Sequence, residues 1–124
     1  MSEKAKIVFD KNKIKTDMKL EEIVALISTG DRDSPEYGLT FMILNRLISG
    51  NRQMKKDDMY DLYMRNREHI SKASFYRILK RLITRGMILF NEQEQAYMPS
   101  VLFSNSLQKI AIAWERLAIK DLID

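Results

Sequence analysis

Residues 71–88 read SKASFYRILKRLITRGMI, and this stretch decides the fold. Its apolar residues follow one another at spacings of three, one, three and one, which places them on one side of an α-helix. They are Phe75, Ile78, Leu79, Leu82 and Ile83. Ser71 is suited to cap the start of this helix, and Gly86 after Arg85 is suited to end it. The pattern predicts an amphipathic helix with one face buried in the protein.

The opposite face of this helix is polar and cationic. It carries Lys72, Ala73, Tyr76, Arg77, Lys80 and Thr84, with Arg81 at its edge. A helix that enters the major groove of DNA needs one face packed on its scaffold and the other presented to the duplex. Side chains near the helix start approach base edges, and later ones hold phosphates, as do backbone amides at the helix start.

We therefore expect a set of DNA-binding residues that begins at the cap, Ser71. We expect base contacts from Lys72, Ala73, Ser74 and Arg77, and phosphate contacts from Tyr76, Lys80, Arg81 and Arg85. An arginine can bind guanine through two hydrogen bonds, which makes Arg77 the strongest candidate for reading sequence. A basic helix of this kind also occurs as a solvated surface or as a protein-binding face, and that alternative stays open.

Positive charge is concentrated around this helix. The 124 residues hold 21 Lys and Arg and 17 Asp and Glu, for a net charge of +4. Residues 1–50 carry 8 basic and 8 acidic side chains, residues 51–90 carry 10 and 4, and residues 91–124 carry 3 and 5. A cationic middle between a neutral and an acidic part is typical of a surface that meets a polyanion.

The residues after the helix predict a β-hairpin. The apolar runs 87–90 and 96–98 flank a polar tip, and Pro99 ends the second run. The tip contains Glu92 and Glu94 and no basic residue, so it is not suited to grip the minor groove through Arg or Lys.

Two helices are predicted before residue 71. Ser34 can cap and Pro35 can begin a helix that ends at Gly50 and Asn51. We expect its inward residues to be Leu39, Met42, Ile43, Leu47 and Ile48. Asp57 and Asp58 offer a cap for a second, short helix that ends near Arg65 or Asn66. Its inward residues are expected to be Met59, Leu62 and Tyr63.

The first 33 residues are expected to form a basic arm and a short helix. Residues 4–19 alternate lysines with a short apolar run, which indicates a strand or a loose arm. Such an arm can reach into a DNA groove or simply keep the protein in solution. Asp17 is expected to cap a helix that ends near Gly30.

The segment from about Ser104 to Leu122 is predicted to be a long helix with a broad apolar surface, which must be covered on more than one side. We expect it to form a homodimer interface. The interface residues are Phe103, Leu107, Ile110, Trp114, Leu117, Ile119 and Ile123.

The order of three helices and a hairpin, with the third helix basic outside and apolar inside, is that of a winged helix-turn-helix. Residues 71–88 resemble the recognition helix and first wing strand of PadR-type transcriptional regulators, in which a Ser, a Leu-Tyr pair, a Leu-Lys-Arg-Leu block and a Gly-Leu-Ile ending recur. The resemblance covers residues 34–99 and is strongest over residues 71–88. It implies a transcriptional repressor or autoregulator that binds double-stranded DNA as a homodimer.

The expected fold class is mainly α with a small β-hairpin wing, an α+β arrangement in one compact domain. Residues 1–33 form the arm and short helix, residues 34–99 the winged helix-turn-helix, and residues 100–124 the dimerisation helix. Two-fold symmetry predicts palindromic half-sites with centres about 34–36 Å apart, or a multiple of that.

Several classes of function are excluded or disfavoured. With no Cys there is no disulfide, thiolate metal site or Cys nucleophile. The lone His69 is expected to be a turn residue, and no metal or other cofactor is indicated. No Gly-rich phosphate loop, Gly-x-Ser-x-Gly elbow or His-Glu-x-x-His is present, so we expect no enzyme. Without a long apolar run or a signal peptide, we expect a cytoplasmic, nucleoid-associated protein.

Three alternatives to a simple repressor stay open. The winged helix can be a DNA-binding component of a plasmid or phage partition or replication complex. It can be a protein–protein interaction module whose cations meet an acidic partner. It can also be a regulator with an apolar cavity for a small-molecule effector between the first and last helices, although no residue indicates such an effector.

Overall fold

The computed structural model describes residues 10–27 and 34–119. The elements in chain order are α1 (Leu20–Ile27), α2 (Pro35–Ser49), β1 (Met54–Lys55), α3 (Lys56–Arg65), α4 (Lys72–Thr84), β2 (Ile88–Asn91), β3 (Ala96–Pro99) and α5 (Leu102–Trp114), which a π-helical segment (Glu115–Ile119) continues. The described chain is therefore mainly helical with a small sheet, and the expected α+β class is confirmed.

The sheet has three antiparallel strands in the order β1-β3-β2. The predicted hairpin is confirmed, and it pairs Leu89 with Met98 and Phe90 with Tyr97. Strand β1 was not predicted, because two residues in a polar stretch give no alternation that a sequence pattern can reveal. It pairs Met54 with Tyr97, and Met54 is buried.

Two predicted helix starts are confirmed. The Ser34 hydroxyl accepts a hydrogen bond from the Tyr37 backbone N–H at 3.1 Å, at the start of α2. The Ser71 hydroxyl accepts one from the Ser74 backbone N–H at 3.1 Å, at the start of α4. Each hydroxyl satisfies a backbone donor that the first helical turn leaves without a partner.

Two other predicted caps are wrong. Asp17 lies three residues before α1, and the Glu22 carboxylate instead accepts a hydrogen bond from the Lys19 backbone N–H at 3.1 Å. Neither Asp57 nor Asp58 caps α3, which begins earlier, at Lys56, without a side-chain cap. Both aspartates lie within its first turn, where their charge favours the positive end of the helix dipole. The predicted helix end at Gly30 and residues 4–9 of the arm fall outside the described residues, and residues 10–19 of the arm form turns.

The hydrophobic core lies between the helices and the inner face of the sheet. Its completely or almost completely buried members include Val24, Ile27, Ile43, Leu47, Met59, Phe75, Leu82 and Ile88. The inward residues predicted for α3 are confirmed in this core or packed against it, and so are Phe75, Ile78, Leu79 and Leu82 of α4. The fifth residue of the predicted α4 stripe, Ile83, is wrong, because it lies at the edge of the buried side and is 39% exposed. Helix α2 differs from the prediction, because Thr40 and Leu44 are buried and Ile48 is exposed. Viewed down the helix axis, the buried side is bounded by Leu39 and Leu44, and Ile48 lies just outside it.

Gly86 joins α4 to the sheet in a backbone conformation with a φ of 80°, as the sequence predicts. A Cβ atom at this position would lie 2.9 Å from the Leu102 Cβ and from the Phe103 nitrogen. The Gly86 carbonyl accepts a hydrogen bond from the Phe103 backbone N–H at 2.9 Å. Only glycine therefore allows the end of α4 to touch the start of α5. No helix in the described ranges is long and apolar enough to cross a membrane.

Candidate functional site

The two faces of α4 are separated by burial. Phe75, Ile78, Leu79 and Leu82 are buried, whereas Ala73, Arg77, Lys80 and Thr84 are exposed at spacings of four, three and four along the helix. The predicted division of this helix into an inner and an outer face is confirmed. Arg77, Lys80 and Thr84 also border a shallow depression of about 270 Å³ together with Arg81 and Arg85.

Three cations on this face carry charge that nothing in the described chain neutralises. Lys72, Arg77 and Lys80 are exposed, and the ion pairs among the described residues involve none of them. The ammonium of Lys72 lies 5.7 Å from the centre of the Tyr60 ring, a cation–π contact that leaves its charge intact. These side chains are free to meet an anion, and we call Lys72, Arg77 and Lys80 the cationic face.

Two further predicted arginines are engaged within the protein. The Arg81 guanidinium donates to the Glu36 carboxylate at the start of α2. The Arg85 guanidinium donates to the Ile27 carbonyl at the end of α1, at 2.7 Å. Burial lowers the pKa of the Arg85 guanidinium below its ordinary value, the nearby Arg81 lowers it further, and Glu36 opposes the shift. Both side chains are half-buried, and they fasten α4 to the first two helices.

Tyr76 is part of an aromatic cluster. Its ring lies 5.2 Å from Phe75 and 6.5 Å from Tyr63, measured between ring centres, and Tyr63 in turn contacts Tyr60 at 5.9 Å. Burial raises the pKa of the Tyr76 hydroxyl above its ordinary 10.0, and the nearby hydroxyls of Tyr60 and Tyr63 add to the rise. Tyr76 therefore keeps its proton at neutral pH and can donate it in a hydrogen bond.

A cavity of about 330 Å³ lies between the start of α2 and the start of α4, and we call it the α2–α4 cavity. Its polar lining consists of Glu36, His69, Ser71, Ser74, Arg77 and Arg81. His69 lies in the turn before α4, as predicted. The cavity thus collects four of the nine residues expected to bind DNA, together with a carboxylate and an imidazole that were not among them.

The hairpin tip is acidic and partly neutralised. Glu92 and Glu94 are exposed. The Lys55 ammonium donates to the Glu94 carbonyl at 3.0 Å and lies 3.6 Å from its carboxylate. This contact ties the tip to β1 and leaves Glu92 as its unpaired charge among the described residues.

Helix α5 has no buried residue. Ile110, Trp114 and Leu117 are 65%, 62% and 75% exposed, and they lie along one side of α5 and its π-helical continuation. Of the predicted interface residues, Phe103 packs against the core, Leu107 and Ile119 are half-buried, and Ile123 lies outside the described residues. The broad apolar surface predicted for this helix is covered by the core only at the start, through Phe103.

Two residues of this region, Glu36 and Tyr60, were not predicted from the sequence. Glu36 follows a Ser-Pro helix start, where an acidic residue is favoured for the helix dipole alone. No pattern connects it with Arg81, which lies 45 residues later. The described residues contain no group of three or more His, Asp or Glu that could hold a metal ion.

Comparison with curated proteins and with solved structures gave no match to this chain. A model described as an archaeal family matches residues 22–120, from the first turn of α1 to just past the π-helical segment. This match includes α4, its cationic face and nearly all of the described part of the chain, and the chain therefore belongs to this archaeal family.

Proposed function

We propose that this protein binds double-stranded DNA by placing α4 in the major groove. The observation that carries the proposal is the cationic face of α4, whose three exposed charges share this helix with the buried Phe75, Ile78, Leu79 and Leu82. A groove-binding helix requires this division, because it must be held rigidly from behind while its outer side chains reach the duplex. Neutralising phosphates also releases bound counterions, which favours association.

The order of elements supports a winged helix-turn-helix. Helices α2, α3 and α4 follow one another with β1 between the first two, and the hairpin β2–β3 comes directly after α4. The sheet order β1-β3-β2 brings the hairpin back beside β1. In this arrangement α4 is the recognition helix and the hairpin is the wing.

The residues divide into two roles. Ala73 and Arg77 lie towards the start of α4 and approach base edges, with Arg77 the side chain that can bind guanine. Lys72 at the start of α4 also approaches a base edge, and the exposed Ser71 lies next to it. Lys80, further along the helix, holds a phosphate. The acidic tip of the hairpin stays away from the minor groove, because Glu92 would face phosphate charge there.

We further propose that a second copy of the chain covers the apolar side of α5. Within α5 the only charged residue is Lys109, and the side that carries Ile110 and Trp114 is apolar and exposed. An apolar groove of about 190 Å³ lies between α1, α2 and the start of α5, lined in part by Ile23, Ile48 and Phe103. The chain thus carries an uncovered apolar helix and an apolar groove, and a symmetric dimer buries both.

A dimer of this kind presents two copies of α4 to one side of a duplex, with half-sites about 34–36 Å apart or a multiple of that. Occupying an operator would make the protein a transcriptional repressor or autoregulator located at the nucleoid. Sedimentation equilibrium should then give twice the 14.6 kDa mass of the chain.

Fluorescence anisotropy of a labelled random-sequence duplex tests DNA binding. We expect the logarithm of the association constant to fall steeply with the logarithm of salt concentration between about 50 and 200 mM. Lys80→Ala should weaken binding and reduce the slope by about 0.9, the change for one lost phosphate contact. Lys109→Ala on α5 is the matched control and should leave the slope unchanged. An absence of binding at low salt would contradict the proposal and favour a protein-binding module.

A further inference from the structure

Two arginines and one glutamate line the α2–α4 cavity, and one of the arginines is already paired with the glutamate. Arg81 is paired with Glu36, and the two side chains are 31% and 24% exposed. Arg77 borders the same cavity and has no carboxylate within ion-pair distance among the described residues. One carboxylate therefore faces two guanidinium groups, and these three side chains have a net positive charge.

The other polar groups of the cavity suit an oxyanion. The Ser71 and Ser74 hydroxyls lie 3.0 Å apart, and both border the cavity next to Arg77. The His69 side chain, on the turn before α4, adds a ring N–H donor. Guanidinium and hydroxyl donors are the groups that bind phosphate oxygens in proteins. Glu36 differs from these groups, because an ionised carboxylate has no donor. It accepts hydrogen bonds from the same groups that would bind a phosphate.

We infer that the α2–α4 cavity binds a backbone phosphate of DNA, and that this phosphate displaces Glu36 from Arg81. The inference rests on the proposed function, because it places one phosphate beside the groove-binding helix. Glu36 acts as an internal anion that satisfies Arg81 while DNA is absent. Its carboxylate must move away when the phosphate arrives, so the ion pair lowers the affinity for DNA.

The exchange of Glu36 for a phosphate explains why Arg81, which is expected to bind phosphate, is paired with a carboxylate in the free protein. An unpaired, half-buried Arg81 would lack hydrogen-bond partners for part of its guanidinium group. The carboxylate supplies them and also fixes the guanidinium at the cavity. A phosphate oxygen offers the same kind of acceptor, so Arg81 keeps a partner throughout the exchange.

The test is Glu36→Gln, which keeps the size of the side chain and removes its charge. We expect the Kd for a random-sequence duplex to fall about 3- to 10-fold at about 50 mM salt, because Arg81 becomes available to phosphate. The slope of affinity against salt should steepen by about 0.9. Glu115→Gln in the π-helical segment removes the same charge elsewhere and should change the Kd less than about twofold.

The double variant Arg81→Ala, Glu36→Gln separates exchange from general charge repulsion. If Glu36 acts through Arg81, Glu36→Gln steepens the salt slope only when Arg81 is present. An equal gain in affinity and slope with Arg81 absent overturns the exchange, as does a Glu36→Gln variant that binds like the parent protein. Thermal unfolding of each variant shows whether it is folded.

Side-chain NMR of the unaltered protein provides a second measurement that does not depend on any variant. The Nε–H signals of Arg77 and Arg81 should shift on adding the duplex. Shifts with inorganic phosphate but not with a bound duplex would assign the cavity to a free phosphate and overturn the DNA assignment. Shifts with neither ligand would overturn the site altogether. Failure of the proposed function is distinct, because the duplex would then not bind at all.

Discussion

Helices α4 and α5 are each 13 residues long, but they differ in the burial of their apolar residues. In α4 the apolar side chains face the core and the charges face outward. In α5 no residue is buried, and large apolar side chains such as Ile110 and Trp114 face outward. Most of the apolar side of α4 is therefore covered by the chain itself, whereas α5 exposes a large apolar surface of the kind that folded proteins normally cover.

The contrast shows that helix length and apolar content do not decide what a helix does. What decides it is whether the apolar side meets the core of the same chain. Helix α4 derives its position from that core and can present cations rigidly. Helix α5 is attached at its start, through Phe103 and the Gly86 carbonyl, and the rest of its apolar side is left for another surface.

The largest expected effect tests the attachment of α4 to the core. Leu82 is 1% exposed and its neighbour Ile83 is 39% exposed, so replacing each by Ala removes the same number of carbon atoms from opposite environments. We expect Leu82→Ala to lower the free energy of unfolding by about 2–5 kcal/mol and Ile83→Ala by less than about 1 kcal/mol. Urea unfolding followed by circular dichroism measures both values. Equal losses would mean that Leu82 is no more buried in the core than Ile83.

The next effect tests the open side of α5. Trp114→Glu places a charge in the proposed dimer interface, and we expect dimerisation to weaken by at least about 100-fold. Gln108→Glu adds the same charge to the opposite side of the helix and should leave the dimer intact. Analytical ultracentrifugation measures both variants. A Trp114→Glu protein that remains as dimeric as its parent would remove α5 from the interface.

A smaller effect tests whether the outer side of α4 reads bases. Arg77→Ala should weaken binding to a duplex selected from a random pool by about 1–3 kcal/mol, and weaken binding to random duplex by less. Competition titrations of the two duplexes give the two losses. Equal losses would assign Arg77 to a phosphate. Lys109→Ala on α5, where no DNA contact is proposed, should change neither affinity.

The smallest effect concerns how the two helices begin. The Ser71 hydroxyl caps α4, whereas the residue at the cap position of α5, Val101, has no such group, and Ser100 accepts from the Leu102 N–H there instead. Ser71→Ala should lower the free energy of unfolding by about 1 kcal/mol. Ser106→Ala, on the exposed part of α5, removes a hydroxyl that has no hydrogen bond to another described residue, and it should change stability by less than about 0.5 kcal/mol. A similar loss at both positions would show that the cap does not stabilise α4.

Much of this fold follows from local sequence signals. The apolar spacing of residues 75–82, the Ser-Pro start of α2 and the glycine at position 86 each act within a few residues, and each was predicted correctly. The caps at Asp17 and Asp57 were predicted incorrectly because the position of the helix start depends on more than the nearest capping residue. Helix α1 begins three residues after Asp17, where Glu22 accepts from the Lys19 N–H, and α3 begins at Lys56, before either aspartate.

The candidate site was only partly predictable. The cationic face is visible in the sequence because its residues share one helix. The pairing of Arg81 with Glu36 and of Arg85 with the Ile27 carbonyl depends on how α1, α2 and α4 pack, over separations of 45 and 58 residues. Strand β1 escaped prediction for a similar reason, since its two residues become a strand only because Tyr97 and Ala96 lie beside them.

The contact at Gly86 couples the two ends of the proposed assembly. Because the glycine has no side chain, the chain just after α4 touches the first turn of α5 directly and accepts a hydrogen bond from it. A rotation of α5 about a symmetry axis would then turn the whole core that holds α4. In the proposed dimer, the angle between the two α5 helices would therefore determine the distance between the two α4 helices along a DNA duplex.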